Sequence, residues 1–189
     1  MKLTPFEKHH YAELCSWFAS LADVVQWGGP ALNYPLDAAQ LDSMVAESAG
    51  FRPNRNCWMP EDDAGNIVGH VQLAFDRKNG VARIERVAIS PTRRGRGLAK
   101  GMVRLVLAEA FADPEIERVE LNVYTWNTAA IRTYTTLGFV LEGVRRSSAK
   151  VEEERWDTAM MAVLRAEWQA TSPECGCVSN DFAASVSTK

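Results

Sequence analysis

Residues 86–105, RVAISPTRRGRGLAKGMVRL, constrain the fold of this chain more than any other stretch. Strand-forming residues end at Ser90-Pro91, a turn rich in arginine and glycine follows, and a helical pattern begins at Gly97. Glycines at positions 95 and 97 let the backbone approach an anion without an intervening Cβ atom. The unpaired amides in the first turn of the helix, together with the helix dipole, favour a phosphate at that point. The pattern therefore predicts an anion site at the start of this helix.

The rest of the chain discriminates among the anions that such a turn can hold. A dinucleotide fingerprint needs a third glycine, but Lys100 occupies its place. The triphosphate-loop pattern G-x-x-x-x-G-K-[ST] does not occur in the chain. The formal net charge of −3 and the lack of interleaved aromatic residues argue against nucleic acid as a partner. A pyrophosphate is favoured, with a solvated basic turn as the alternative interpretation of the arginines at 93, 94 and 96.

Hydrophobic periodicity predicts the element order β-α-α-β-β-β-α-β-α-β-β. We expect a short first strand over residues 2–7, an amphipathic helix over 8–26, and a second helix capped by Asp37. The last two strands are expected over 139–148 and 155–165, joined by the charged sequence AKVEEE. Helices separate some strands while hairpins join others, which indicates an α/β (α+β) chain with a mixed sheet and helices on both faces.

Length and composition favour one domain over residues 1–168, followed by a weakly ordered tail over 169–189 that is rich in serine, threonine and alanine. The chain has no apolar run of about 18 residues, so we expect no membrane-spanning segment. Its first ten residues lack the apolar region of a signal peptide, so a cytoplasmic location is expected. Two of the four cysteines, Cys175 and Cys177, lie in the tail without a nearby histidine, so no metal site is expected.

Two separate motifs resemble those of the GNAT superfamily of N-acetyltransferases. The sequence RGRGLA at 94–99 matches the superfamily's acetyl-CoA signature [Q/R]-x-x-G-x-[G/A]. About 30 residues further on, LNVYTWNTAAIRTYTTLGF at 121–139 resembles its second motif. The resemblance covers roughly residues 57–164, and the chain looks most like the branch that acetylates ribosomal-protein N-termini. It implies a mixed, mostly antiparallel central sheet of about six to seven strands and acetyl-CoA as a co-substrate.

The resemblance also implies which residues contact acetyl-CoA. The strand would pair with the pantetheine arm, the helix start would hold the pyrophosphate, and a helix-capping asparagine would add a contact. The residues implied are Val87, Ala88 and Ile89 on the strand, Arg94, Gly95, Arg96, Gly97, Leu98, Ala99 and Lys100 at the helix start, and Asn127.

Two residues are candidates for the proton transfers. Tyr134 matches the tyrosine that stands near the thioester sulfur in many members of the superfamily, and a phenol there can protonate the departing thiolate. The alternative is a core tyrosine, because Ile131, Tyr134 and Leu137 follow each other at three-residue steps. Glu85 interrupts an apolar run, which suits either a base for the amine or an ion pair with Arg83 or Arg86. The residues alone leave both pairs of alternatives open.

The expected activity is transfer of an acetyl group from acetyl-CoA to a primary amine, by direct attack in a ternary complex. The acceptor is a small-molecule amine or a peptide N-terminus, and the loop that holds Trp27 and Tyr34 either lines its pocket or covers the core. Homodimers are common in the superfamily, although the sequence offers no independent sign of one. The alternative function is a non-catalytic acyl-CoA sensor or partner protein that uses the same cleft.

Overall fold

The structure is a computed structural model that describes residues 1–171. The elements in chain order are α1 (Tyr11–Ser16), α2 (Leu21–Gly28), α3 (Ala38–Glu47), β1 (Arg55–Trp58), β2 (Gly69–Asp76), β3 (Val81–Ile89), α4 (Leu98–Ala112), β4 (Arg118–Tyr124), α5 (Thr128–Thr135), β5 (Val140–Val151), β6 (Glu154–Leu164) and α6 (Arg165–Thr171). The predicted tail thus begins inside α6. Its remainder, residues 172–189 with Cys175 and Cys177, lies outside the described residues.

The strands form one six-stranded sheet in the order β1-β2-β3-β4-β6-β5. Strands β3 and β4 pair in parallel, and the other neighbours in the sheet are antiparallel. The parallel pair is joined through α4, as a crossover between parallel strands requires. The predicted mixed, mostly antiparallel sheet is therefore confirmed.

Helices cover both faces of this sheet, as predicted. On one face α4 buries Met102 and Leu107 against Leu73 and Ile84 of the strands. Complete burial of side chains of this size stabilises the fold by about 1.5–3 kcal/mol each. On the other face the helices α1, α2 and α3 pack around the side chain of Cys57. The alternation of side chains along each strand sends neighbours such as Cys57 and Trp58 into different clusters.

Two predictions for the N-terminal part are wrong. Residues 2–7 form isolated bridges to Glu61 and Trp58 rather than a strand, since Pro5 has no amide hydrogen to continue a ladder. The helix predicted over 8–26 is broken between α1 and α2. Ser20 begins the new helix because its side chain accepts the Asp23 amide at 3.1 Å, while the Asp23 carboxylate accepts the Ala19 amide. This pattern of a capping serine with an acid three residues later was visible in the sequence.

The last hairpin is longer than predicted. The charged segment AKVEEE belongs mostly to the strands, and only Glu152 and Glu153 form the turn between β5 and β6. Ala149 and Val151 are buried within this segment, so its apolar positions outweigh its charge in deciding its structure.

The sheet opens between β3 and β4, which creates the cleft considered below. The two strands pair from Val81 with Arg118 to Ile84 with Leu121, and no further. A β-bulge follows in β3, where Arg86 has a φ of 51° and the register with β2 shifts. Beyond the bulge, residues 87–89 lie beside β2 and have no pairing with β4. Their backbone edge therefore lines an open gap.

Candidate active site

The bulge at Arg86 is held in place by two buried side chains. The Arg86 carbonyl oxygen accepts a hydrogen bond from the indole Nε1 of Trp27 at 2.7 Å and another from Nδ1 of His70 at 3.0 Å. Burial lowers the pKa of His70 to about 3, so its imidazole is neutral with the proton on Nδ1. A left-handed backbone costs a residue with a Cβ atom about 1–2 kcal/mol. These two donors offset that cost, and they connect α2 and β2 to the point where the sheet opens.

The bulge also depends on a glycine of the neighbouring strand. A Cβ atom added at Gly69 would lie 2.3 Å from the carbonyl oxygen of Ala88. Any larger residue would therefore push β3 away from β2 just beyond the bulge.

A cleft of about 860 Å³ lies between the splayed strands, and it brings together most of the predicted site residues. The predicted residues that line it are Glu85, Val87, Ala88, Ile89, Arg94, Ala99, Asn127 and Tyr134. The remaining predicted residues form the loop and first turn at the beginning of α4. These are Gly95, Arg96, Gly97, Leu98 and Lys100.

The start of α4 has the features of a phosphate cradle. Gly95 and Gly97 have φ values of 76° and 72°, a region that favours glycine, and the space where a Cβ atom would stand is open at both. No side chain caps this helix and its first turn contains no acidic residue, so its amides are left for an anion. Arg93 forms an ion pair with Asp62 at 2.7 Å, which leaves Arg94 and Arg96 as the exposed cations of the turn. This donor set fits the pyrophosphate of coenzyme A.

Asn127 and Tyr134 lie at opposite ends of the short helix α5. The Oδ1 atom of Asn127 accepts the Ala130 amide at 3.2 Å and caps the helix, as predicted. The side-chain amide of Asn127 is left to donate to another partner. Tyr134 is 7% exposed and its ring packs edge-on against Phe139. Burial raises the pKa of Tyr134 to about 12, so its hydroxyl keeps the proton near neutral pH.

The ion-pair partner suggested for Glu85 from the sequence is wrong. Neither Arg83 nor Arg86 pairs with it: Arg83 binds Glu120, and Arg55 donates to the Glu85 carboxylate. Arg55 also binds Glu47, with 2.6 Å between Nε and Oε2. The Glu85 carboxylate thus lines the cleft while a guanidinium compensates its charge.

Sequence reasoning did not identify Arg55, Gln72 or His70, and it placed Trp27 in an exposed loop. Trp27 instead belongs to α2, where it is buried and also lines the cleft, so it combines the two roles considered for it. Tyr34 is 46% exposed. Arg55 and Gln72 reach the site from β1 and β2, and no local pattern in the sequence marks either of them.

The model of the Acetyltransferase (GNAT) family matches residues 13–139, which is most of the part that forms the sheet and the cleft. The chain belongs to this family. The match includes the glycine loop, the bulge, and the Asn127 and Tyr134 positions. The protein is accordingly an N-acetyltransferase, and acetyl-CoA is its co-substrate.

Three individual proteins illustrate this similarity. The chain is 29% identical over 153 residues to the SPbeta prophage-derived N-acetyltransferase YokL of Bacillus subtilis, covering 80% of this chain and 85% of YokL. It is 27% identical over 104 residues to the L-amino acid N-acetyltransferase AaaT of Escherichia coli, covering 53% of this chain and 64% of AaaT. Among solved structures, a spermidine N-acetyltransferase from Vibrio cholerae in complex with CoA and spermine superposes with a TM-score of 0.76. At 18% identity, with 89% of this chain and 97% of that chain covered, this similarity establishes the fold.

Among residues 1–171, no helix is long and apolar enough to cross a membrane. The same part of the chain contains no group of three or more histidine, cysteine, aspartate or glutamate side chains placed to hold a metal ion.

Proposed function

We propose that this GNAT enzyme acetylates a primary amine by direct attack while acetyl-CoA and the amine are bound together. The observation that carries the proposal is the continuity of the cleft. One opening joins the β3 edge and Tyr134 on one side to Glu85 and Trp27 on the other. Acetyl-CoA and the amine can therefore be bound in the same cleft at the same time and meet at the bulge.

A covalent acetyl-enzyme is not needed in this arrangement. Cys57 is buried outside the cleft lining, and burial raises the pKa of its thiol. The hydroxyl of Ser148 lines the cleft but is engaged with Thr158 at 2.6 Å. Within the described lining, no serine or cysteine is paired with a histidine as an activated nucleophile would be.

The part of the cleft that we assign to acetyl-CoA comprises residues 87–100 and 127–134, and we call it the cofactor half. Acetyl-CoA supplies the thioester that the amine attacks. The glycine loop and the first turn of α4 bind the pyrophosphate, and the free edge of β3 over residues 87–89 orients the acetyl arm by backbone hydrogen bonds. The side-chain amide of Asn127 adds a donor beside them.

Tyr134 is the proposed general acid. Its hydroxyl lines the cleft and makes no hydrogen bond to another described residue, so it is available to the sulfur of the leaving thiolate. Because its pKa is raised to about 12, the phenol is protonated when the thiolate forms.

Glu85 is the proposed acceptor of the amine's proton, directly or through a water molecule. It belongs to what we call the acceptor half of the site, in which Trp27, Arg55, Glu85 and Arg86 line the cleft and the buried Gln72 binds both arginines behind them. Arg55 donates to the Glu85 carboxylate and holds it in orientation. An ammonium that enters next to the Glu85 carboxylate becomes its second cationic partner, after Arg55, before it transfers its proton to that carboxylate.

The chemical class of the acceptor amine is a separate part of the proposal. The sequence resembles the branch that acts on ribosomal-protein N-termini, AaaT is by name an L-amino acid N-acetyltransferase, and the Vibrio cholerae structure contains spermine. Peptide N-termini, amino acids and polyamines are therefore the classes to compare. The single domain, the cytoplasmic location and the homodimer stay predictions from the sequence and the family.

The test is a two-part measurement on the full chain. Calorimetry measures acetyl-CoA binding, and a thiol reagent then measures CoA release with peptides, amino acids, polyamines and aminoglycosides as acceptors. We expect micromolar binding and acceptor-dependent thiol release. Binding without release across the whole panel would instead favour the non-catalytic sensor, and absence of binding would refute both functions.

A further inference from the structure

Arg86 is a largely buried cation with incomplete hydrogen bonding. Its Nη1 atom donates to Oε1 of Gln72 at 2.7 Å, whereas its Nε atom is buried and has no hydrogen-bond partner among the described residues. No carboxylate of the described residues forms an ion pair with its guanidinium, although Arg86 is one of the residues that line the cleft. Arg55, next to it, binds two carboxylates. Carboxylates therefore compensate the positive charge of Arg55 but not that of Arg86.

The bulge explains how Arg86 reaches this position. Adjacent residues of a regular strand point to opposite faces of the sheet, so Glu85 and Arg86 would be separated by its thickness. Here the extra residue at the bulge directs both side chains to the face that α2 covers. Gln72 demonstrates this arrangement, because its Oε1 accepts from Arg86 at 2.7 Å and from Arg55, the partner of Glu85, at 3.2 Å. A carboxylate and a guanidinium from consecutive residues therefore border one cavity.

A buried guanidinium without an anion is costly unless something completes its shell. Burial, and after it the positive charge of Arg55, lower the pKa of Arg86, so the surroundings inside the protein work against its charge. A carboxylate bound in the cleft beside Arg86 would supply the anion that the described residues do not, and guanidinium groups bind carboxylates strongly.

We propose that Arg86 binds a carboxylate of the acceptor, so that the amine substrate belongs to the amino-acid class. This inference rests on the proposed function and names the substrate of the same site. Glu85 faces the ammonium group of such a substrate and Arg86 faces its carboxylate. The two consecutive side chains thereby match a zwitterion whose opposite charges are a few bonds apart.

The remaining charges of the cleft agree with this assignment. Its lining includes five arginines but only two acids, Asp23 and Glu85. The carboxylate of Asp23 is engaged with Ser20 and the Ala19 amide, and that of Glu85 with Arg55. A polyamine has several cations and no anion, so only one of its ammonium groups could face Glu85, while the others would be repelled by Arg86 and by the exposed Arg145.

The experiment compares matched acceptors on the full-length wild-type enzyme. Initial rates are measured for a panel of L-amino acids, for the carboxamide of each, and for the amine that lacks the carboxyl group. We expect the best amino acid to exceed its carboxamide by about 30-fold in kcat/KM, as removal of a charge-assisted contact implies. In Arg86→Gln this preference should fall to less than about threefold, with Arg86→Lys in between.

Calorimetric binding of acetyl-CoA verifies that each variant folds, and Arg146→Gln controls for loss of one positive charge at an exposed site outside the cleft. Equal wild-type rates for acids and carboxamides, or faster rates for polyamines, would overturn the assignment of Arg86 and leave the proposed function standing. The same holds if Arg86→Gln slows acids and carboxamides alike. Acetyl-CoA binding without acetylation of any amine would overturn the proposed function and this inference together.

Discussion

The cofactor half of the cleft is assembled from contacts between near neighbours in the chain, whereas the acceptor half joins side chains from four elements. Asn127 caps its own helix three residues on, and Arg94 donates to the carbonyl of Ile89 five residues back. In the acceptor half, Trp27 reaches Arg86 across 59 residues and Arg55 reaches Glu85 across 30. Substitutions in the cofactor half should therefore affect mainly the binding of acetyl-CoA. Those in the acceptor half should spread through the bulge that both halves share.

The largest expected effect is that of Tyr134→Phe, which tests the junction of the two halves. Loss of the proton donor should lower kcat about 100-fold while the Kd for acetyl-CoA changes less than about twofold, because the ring and its packing are retained. Steady-state rates and calorimetry measure the two quantities. Tyr34→Phe, at an exposed tyrosine, is the matched control. An unchanged kcat would remove Tyr134 from the chemistry and return it to the core.

The second effect concerns stability and tests the bulge, whose Arg86 carbonyl accepts a hydrogen bond from His70. The pKa of His70 is about 3 when folded and about 6.5 when unfolded, so the unfolded chain binds the extra proton between these values. The stability that neutral His70 contributes is complete above pH 6.5 and is lost as the pH falls towards 3. Between pH 7 and pH 5 the wild type should therefore lose about 2 kcal/mol more free energy of unfolding than His70→Asn.

Urea denaturation at the two pH values measures this difference, and asparagine keeps a donor for the Arg86 carbonyl. The exposed His9, changed to asparagine, serves as the control and should retain the wild-type slope. If His70→Asn loses as much free energy of unfolding between the two pH values as the wild type does, protonation of His70 does not weaken the bulge.

The third effect returns to the cofactor half. Gly97→Ala places a Cβ atom at a residue with a φ of 72°, which strains the cradle by about 1–2 kcal/mol. We expect the Kd for acetyl-CoA to rise about tenfold, with little change in the KM for the amine. Gly101→Ala is the control, because this glycine lies inside α4 and an added Cβ atom would meet only Met1, at 4.0 Å. Equal effects of the two substitutions would mean that the helix, rather than the cradle, had been perturbed.

The smallest effect is expected for Trp27→Phe, which removes one of the two donors to the Arg86 carbonyl. A hydrogen bond of this kind contributes about 1 kcal/mol, so the KM for the amine should rise about fivefold. Acetyl-CoA binding should change less than the KM for the amine, if the halves differ as described. Trp17→Phe removes a similar volume from the same buried cluster without touching that carbonyl. Identical kinetics of these two variants would contradict a role of Trp27 in holding the bulge.

The sequence predicted most of the fold and of the cofactor half because the signals there are local. The Asn127 cap, the strand end at Ser90-Pro91 and the glycine turn each depend on residues within a few positions of one another. The errors at residues 2–7 and 8–26 concern local signals as well, namely the missing amide of Pro5 and the cap at Ser20. They were outweighed in the prediction by hydrophobic periodicity.

The chain's own residues determined where strands and helices alternate, where an anion can bind at a helix start, and which family the protein resembles. The tertiary structure decided the partner of Glu85, the burial of Trp27 and His70, and the face on which Arg86 lies. The physical reason is the bulge: strand periodicity assigns consecutive residues to opposite faces, and one left-handed residue, held by donors from two other elements, reverses that assignment. Contacts that span tens of residues leave no periodic trace in the sequence.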